Sequence, residues 1–176
     1  MKLGSNGKIV NIIEFKLIIA MVQNDLTETV INAGREHGAT GSTTITAARG
    51  EGLPVVWVTD SRVSPDANLH PSFTPAEDEL RVVKDTRDAF AGTDLEAELT
   101  MRAVERVIIC GMQSDACIHA TVRAAAALGF KVVLVSDAHT THAFESRDWR
   151  AVIAGENETL ATVDNVSVLP LDDVVL

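Results

Sequence analysis

The stretch RVIICGMQSDACIHATVRAAAALGFKVVLVSDA, residues 106–138, decides the fold. Two runs of strand length, at 105–111 and 131–137, make up its two ends, and their successive residues are mostly apolar. Strands that are apolar on both faces are typical of a parallel sheet covered by helices. The alanine-rich segment between them has a helical composition, and Gly129 stands where such a helix would end. The stretch therefore predicts a strand, a crossover helix and a second, parallel strand.

The same alternation of strands and helices continues along the rest of the chain. Further runs of strand length lie at 16–22, 54–60 and 165–171. Helical patterns lie at 43–52, 92–102 and 146–163. This order predicts one α/β domain over residues 1–176, with a doubly wound, mostly parallel sheet and right-handed crossovers. Residues 24–43 are predicted to form a long loop, and we assign no structure to residues 1–15.

The composition argues against a nucleic-acid partner. The chain has 176 residues, of which 46% are hydrophobic and 23% charged, a balance typical of a single globular core. Its net charge of −10 argues against binding to nucleic acid, because phosphate recognition needs a basic surface. The glycine-rich run at 34–43 lacks the lysine that a phosphate-binding loop requires.

Two features bear on location. The first apolar run, at 9–22, is interrupted by Glu14 and Lys16, so we predict neither a signal peptide nor a membrane span. Cys110 and Cys117 lie on either side of a predicted strand-to-helix turn, which is a poor geometry for a disulfide. We therefore expect a cytoplasmic protein with both thiols reduced.

Cys117 is a candidate nucleophile. In an open α/β sheet, ligands bind beyond the carboxyl ends of the strands, and the turn CGMQSDAC lies at such an end. Ser114 or Asp115 can cap the following helix, which places Cys117 in its first turn, where backbone N–H groups and the helix dipole favour a thiolate. The alternative is a buried, inert cysteine, which is the role we expect for Cys110.

A nucleophilic cysteine needs a polarising partner, and Lys84 is a candidate. It follows the apolar run LRVV, and a strand ending there would direct its ammonium group into the same crevice. The positive charge would then stabilise the thiolate. The alternative is a solvated surface lysine, which is the commoner situation.

Two segments together resemble a known family. VVKDTRDAFAGTDLEAEL, residues 82–99, and the stretch that opens this section resemble the isochorismatase-like cysteine hydrolases, which include nicotinamidases and carbamoylsarcosine amidohydrolases. The resemblance extends from about residue 44 to the C-terminus and includes GENETLATV at 155–163. It implies a three-layer α/β/α fold and a homo-oligomer.

The resemblance also implies roles for individual residues. Cys117 would be the nucleophile and Lys84 the catalytic lysine. The peptide bond between Met112 and Gln113 would be cis, and the N–H groups of Gln113 and Cys117 would bind the oxyanion.

One family position is changed. Family members carry an aspartate in a run resembling LLVIDMQNDF, whereas this chain has LIIAMVQNDL, so the aspartate position falls on Met21. That aspartate is the base for the thiol proton, a role methionine cannot take. Three explanations are open: a degenerate site, a substitute carboxylate such as Asp25 or Asp85, or a shifted register.

No metal or other cofactor is predicted. Nicotinamidase-type members bind a metal with an Asp-x-His pair after the second strand, but here Asp60 is followed by Arg62, and His70 alone is not a site. We expect His139 and His142 to be solvated loop residues, with a place in a pocket wall or a subunit contact as the alternative. We expect His119 to face solvent or a partner.

The sequence therefore supports two classes of function. The first is a cysteine hydrolase that acts on an amide-like or related bond of a small molecule through a covalent Cys117 intermediate, with Phe90 and Trp57 as possible pocket walls. The alternative is a degenerate relative with a binding, assembly or thiol redox-sensing role, which the methionine at position 21 favours.

Overall fold

The structure is a computed structural model, and it describes residues 15–21, 41–62, 74–141 and 148–175. The strands in these ranges are β1 Phe15–Met21, β2 Val55–Asp60, β3 Leu80–Lys84, β4 Val104–Met112, β5 Lys131–Thr140 and β6 Val166–Leu169. The α-helices are α1 Gly41–Gly50, α2 Leu95–Met101, α3 His119–Ala127 and α4 Trp149–Leu160. A π-helical turn, Ser114–Ile118, precedes α3, and a 3-10 turn, Leu171–Asp173, follows β6.

The strands form one sheet in the order β3-β2-β1-β4-β5-β6, and each neighbouring pair is parallel. This is a doubly wound order, in which the direction of winding reverses between β1 and β4. Because the strands are parallel, their carboxyl ends lie along one edge, where such folds bind ligands. The predicted doubly wound α/β fold is confirmed.

Helices cover both faces of the sheet and enclose two apolar cores. The α3-side core contains apolar residues of α2, α3 and α4, including the fully buried Leu95, Leu99 and Leu160. Burying a leucine side chain contributes about 1.5–3 kcal/mol relative to leaving it exposed. The α1-side core contains Ile45 and Ala48 of α1. The predicted three-layer α/β/α arrangement follows from these two cores.

Strand β2 shows how the sheet assigns residues to the two cores. Val56 and Val58 lie in the α3-side core, and Val55 and Trp57 lie in the α1-side core. Because side chains alternate along a strand, Asp60 continues the series of Val56 and Val58. The last residue of β2 therefore points to the α3 side, beyond the carboxyl end of the sheet.

Trp57 and Phe90, the two predicted pocket walls, lie on opposite faces of the sheet. Trp57 is buried in the α1-side core, and its Nε1 donates to Glu79 Oε2 over 2.6 Å. Cys117 belongs to the α3-side core, so the prediction that Trp57 lines its pocket is wrong. Phe90 is buried in the same core as Cys117 and stacks on Phe130, with 5.9 Å between the ring centroids.

The predicted elements differ from the observed ones mainly at their ends. Strand β5 continues three residues past the predicted end at Asp137, because Gly111 and Met112 of β4 pair with His139 and Thr140. Most of the predicted loop at 24–43 lies outside the described residues, and its last three residues belong to α1. No helix in the described part of the chain is both long and apolar enough to cross a membrane.

Candidate active site

Cys117 lies in the wide turn that follows the central strand β4. The peptide bond between Met112 and Gln113 is cis, at the position that the family resemblance implies. The Gln113 carbonyl then accepts hydrogen bonds from the N–H groups of Ala116 (3.2 Å) and Ile118 (3.0 Å). These bonds close the π-helical turn, a conformation often found at functional sites. The turn holds Cys117 with only 3% of its surface exposed.

Lys84 reaches Cys117 from the end of β3. Its Nζ lies 3.3 Å from Cys117 Sγ, 2.7 Å from Asp60 Oδ2 and 2.6 Å from the Thr86 carbonyl oxygen. The Lys84 side chain is buried, and a buried ammonium group is costly unless it is paired and hydrogen-bonded. These partners meet that requirement, and they exclude the alternative of a solvated Lys84.

Asp60 supplies a carboxylate to the same cluster from the end of β2. The Asp60 Oδ2 lies 3.8 Å from Cys117 Sγ. In the pairing of β2 with β3, Asp60 lies directly opposite Lys84. The Arg62 guanidinium group donates hydrogen bonds to both carboxylate oxygens, from Nε to Oδ1 over 2.9 Å and from Nη2 to Oδ2 over 2.5 Å. The backbone N–H of Arg62 also donates to Oδ1 over 3.0 Å.

These contacts keep Asp60 ionised. Burial raises the pKa of the Asp60 carboxyl, but the hydrogen bonds from Arg62 and Lys84 outweigh burial and hold the pKa well below its usual value. The cluster therefore combines one carboxylate, one ammonium and one guanidinium group around the thiol of Cys117. Two positive charges face one negative charge, so a thiolate at Cys117 would balance the cluster.

In the sequence, Asp60 stands out only as the aspartate of an Asp-x-His metal-binding pair that lacks its histidine. Of the two proposed substitutes for the missing family aspartate, Asp25 lies outside the described residues and Asp85 is exposed. The backbone of Met21, at the end of β1, pairs with Val58 and Gly111. Two features of the sequence could have indicated that Asp60 belongs to the site. It is the last residue of an apolar strand, and the alternation of side chains along that strand places it on the same face as Val56 and Val58.

Ser114 and Asp115 do not cap the helix, contrary to the prediction. Gln113 is the cap residue of the π-helical turn, and no side chain caps that turn. The Ser114 hydroxyl lies 2.9 Å from His139 Nδ1, and Asp115 Oδ1 accepts a hydrogen bond from the Thr141 hydroxyl over 2.8 Å. Both side chains therefore fasten the turn to the end of β5 and the residue after it.

Of the two described histidines, His139 is placed differently from the prediction, whereas His119 keeps part of its side chain exposed. His139 is a buried strand residue, 4% exposed, because β5 is longer than its apolar pattern. His119 is half-buried on α3, and its Nδ1 lies 2.7 Å from Glu156 Oε2 on α4. His70 and His142 lie outside the described residues. Within the described ranges, no three His, Cys, Asp or Glu side chains lie close enough together to hold a metal ion.

Cys110 lies on the opposite face of the sheet from Cys117. It is fully buried in the α1-side core, and burial raises the pKa of its thiol to about 12. The prediction that Cys110 is a core residue is confirmed. The two cysteines form no disulfide, and they belong to the cores on opposite faces of the sheet.

The fold and the cluster together define a class of protein. It is a doubly wound α/β domain in which a cysteine, a lysine and an aspartate meet beyond the carboxyl ends of three strands, where such sheets bind ligands. The chain belongs to the isochorismatase family, because the Isochorismatase domain matches residues 17–163. The resemblance found in the two sequence segments is confirmed.

Individual relatives agree with this assignment. The chain is 30% identical over 137 residues to the uncharacterized isochorismatase family protein YrdC of Bacillus subtilis, covering 71% of this chain and 68% of that protein. It is 40% identical over 83 residues to a streptothricin hydrolase of Streptomyces noursei, but covers only 30% of that protein. The structure of an isochorismatase from Pseudomonas putida aligns with 92% of this chain and 90% of the isochorismatase chain, with a TM-score of 0.74 and 22% identity. This likeness shows a shared fold.

Proposed function

We propose that this protein is a cysteine hydrolase that cleaves an amide-like or related bond of a small molecule through a covalent Cys117 intermediate. The observation that carries this proposal is the convergence of Cys117 Sγ, Lys84 Nζ and Asp60 Oδ2, with Lys84 3.3 Å and Asp60 3.8 Å from the sulfur. The streptothricin hydrolases and the N-carbamoylsarcosine amidase among the relatives support the same class of reaction.

The reaction would proceed in two displacement steps. The Cys117 thiolate attacks the carbonyl carbon, a C–S bond forms, and the C–N bond breaks as the leaving nitrogen takes up a proton. Water then attacks the resulting acyl-enzyme, the C–S bond breaks, and the products are a carboxylic acid and the free thiol. We assign the oxyanion of each step to the backbone N–H groups of Gln113 and Cys117.

Lys84 and Asp60 would divide the supporting roles. The Lys84 ammonium, 3.3 Å from the sulfur, stabilises the thiolate by its charge. Asp60 takes the thiol proton and later returns it to the leaving nitrogen. In this proposal Asp60 replaces the family carboxylate whose position falls on Met21, so the site keeps a carboxylate in spite of the methionine.

The Asp60 carboxylate is suited to this role in one respect and limited in another. It is ionised, so it can accept a proton, but the hydrogen bonds of Arg62 reduce its basicity. Its distance of 3.8 Å from Cys117 Sγ is long for a hydrogen bond. Catalytic hydrogen bonds commonly shorten when substrate binds, and we expect the same here.

The redox-sensing alternative is less well supported. A sensor thiol is often poised next to a resolving cysteine, whereas the other cysteine of this chain, Cys110, lies in the opposite core. Cytoplasmic location and homo-oligomeric assembly stay predictions.

The test is a hydrolysis assay with a matched cysteine control. The protein would be incubated with a panel of primary amides and N-carbamoyl compounds while ammonia release is measured. Cys117→Ala should abolish release, whereas Cys110→Ala should keep it, because Cys110 lies in the opposite core. Mass spectrometry of the protein under turnover should show an acyl group on Cys117. Ammonia release by a folded Cys117→Ala variant would contradict the proposal.

A further inference from the structure

We propose that His139 is a positioning residue, which accepts a hydrogen bond from the Ser114 hydroxyl through Nδ1 and thereby fixes the turn that carries Cys117. The inference rests on the proposed function in one respect, since it takes Cys117 to be the reactive thiol. His139 itself does not contact Cys117 in the described hydrogen bonds; it acts through Ser114, three residues before the cysteine.

The hydrogen bonds determine which nitrogen of His139 carries the proton. Asn157 Nδ2 donates to the Ser136 carbonyl over 3.2 Å, so the amide oxygen of Asn157 faces the imidazole, 2.8 Å from Nε2. An amide oxygen cannot donate, so Nε2 carries the hydrogen. In the neutral ring Nδ1 is then an acceptor, and the Ser114 hydroxyl, 2.9 Å away, is the donor.

The surroundings of His139 favour the neutral ring. Burial lowers the pKa of His139 and outweighs the opposing effects of the Asn157 hydrogen bond and of two carboxylates, Glu156 on α4 and Asp137 on β5. Glu156 is itself engaged by His119 over 2.7 Å. A neutral His139 keeps Nδ1 available to the Ser114 hydroxyl.

This chain of bonds holds the turn at its first residue. Ser114 is fully buried and begins the π-helical turn, and the neighbouring Asp115 is bound by the Thr141 hydroxyl. The turn is thus attached to β5 and, through Asn157, to α4. An apolar pair of similar shape could fill the space that His139 and Ser114 occupy. Only a hydrogen-bonded pair also fixes the orientation of the turn. Orientation matters here because misplacing a reacting group by 1 Å can cost about 10²-fold in rate.

The test compares variants that remove or keep the acceptor. His139→Leu removes both ring nitrogens, Ser114→Ala removes the hydroxyl, and His139→Asn keeps an oxygen at the position of Nδ1. His139→Gln keeps only a donor at the position of Nε2 and serves as the matched control. The readout is the rate at which iodoacetamide alkylates Cys117 in the full 176-residue chain at pH 7, with folding checked by circular dichroism.

We expect His139→Leu, Ser114→Ala and His139→Gln to slow alkylation at least about 10-fold, because Sγ moves away from Lys84. His139→Asn should recover most of the rate, and the Ser114→Ala/His139→Leu double variant should be no slower than either single variant. Equal rates in the folded Asn and Gln variants, or an Nδ1–H tautomer of His139 in the ¹⁵N NMR spectrum, would overturn the inference. Hydrolysis is not measured, so a wild-type protein that cleaves no amide would contradict only the proposed function.

Discussion

Asp60 and Lys84 end neighbouring parallel strands in direct register, and their side chains form a buried ion pair with 2.7 Å between Oδ2 and Nζ. Both charged groups also reach Cys117 Sγ, at 3.8 Å and 3.3 Å. The pair therefore serves the fold and the proposed chemistry together. A buried ion pair is strongly destabilised when one partner is removed, because the other charge is left uncompensated. Substitutions at either position should be judged by activity and stability together.

Replacing Asp60 by asparagine should remove the proposed general base. We expect kcat/KM for the identified amide to fall about 10²–10⁴-fold, the usual cost of losing such a group. The free energy of unfolding, measured with urea, should fall by about 3–5 kcal/mol because Lys84 keeps its charge. Asp85→Asn is the matched control, since Asp85 is exposed, and it should leave both quantities unchanged. A folded Asp60→Asn variant with wild-type activity would rule out Asp60 as the base.

Replacing Lys84 by methionine should lower the reactivity of Cys117. The variant removes the ammonium group that lies 3.3 Å from the sulfur while keeping a side chain of similar length. We expect iodoacetamide to alkylate Cys117 at least about 10-fold more slowly at pH 7, because the thiolate loses its nearest positive charge. Lys131→Met, at an exposed position that begins β5, is the control. Unchanged alkylation in the Lys84 variant would show that the thiol does not depend on this ammonium group.

Replacing Arg62 by glutamine should change the pH dependence of hydrolysis. Arg62 hydrogen bonds are among the contacts that lower the pKa of Asp60. Without the guanidinium group the carboxylate binds a proton more readily, so its loss as a base begins at higher pH. We therefore expect the acid limb of the kcat/KM profile to move upward in pH, with Arg81→Gln, an exposed residue of β3, matching wild type. An acid limb that stays in place would mean that Asp60 does not titrate in catalysis.

Introducing an aspartate at position 21 tests whether the site lacks a general base because Met21 replaces the family carboxylate. If Asp60 already accepts the thiol proton, Met21→Asp should change kcat/KM by less than about 10-fold, a small effect beside the 10²–10⁴-fold contribution of a general base. A gain of about 10²-fold or more would show instead that the native site is degenerate. Met21→Asn is the control, because it brings in a polar group of the same shape without the charge.

The sequence pattern predicted the central strands well because burial on both faces leaves a continuous apolar run. Strands β2, β4 and β5 were placed within one residue at their N-terminal ends for this reason. The C-terminal extension of β5 was not predicted, because His139 and Thr140 are polar. They belong to the strand through backbone pairing with Gly111 and Met112. Apolar periodicity carries no signal for that pairing.

The candidate site was predicted in part. Cys117 and Lys84 stand in sequence motifs, and these motifs identify both as candidates. Asp60 became a partner of the thiol only through the pairing of β2 with β3, which sets it opposite Lys84. His139 required the length of β5 and the position of α4, whose Asn157 binds its second nitrogen. Contacts of this kind depend on strand register and helix placement, which a single sequence does not specify.

The surroundings of Cys117 in the π-helical turn come from distant parts of the chain, so they can be used to follow folding. The cysteine meets a lysine 33 residues earlier in the chain and an aspartate 57 residues earlier, each on a different strand. No short segment can bring these groups together, so the environment of the sulfur exists only after β2, β3 and β4 have assembled. The chemical reactivity of Cys117 therefore reports long-range assembly, and pulsed alkylation of this natural cysteine during refolding would record when the sheet is complete without an introduced probe residue.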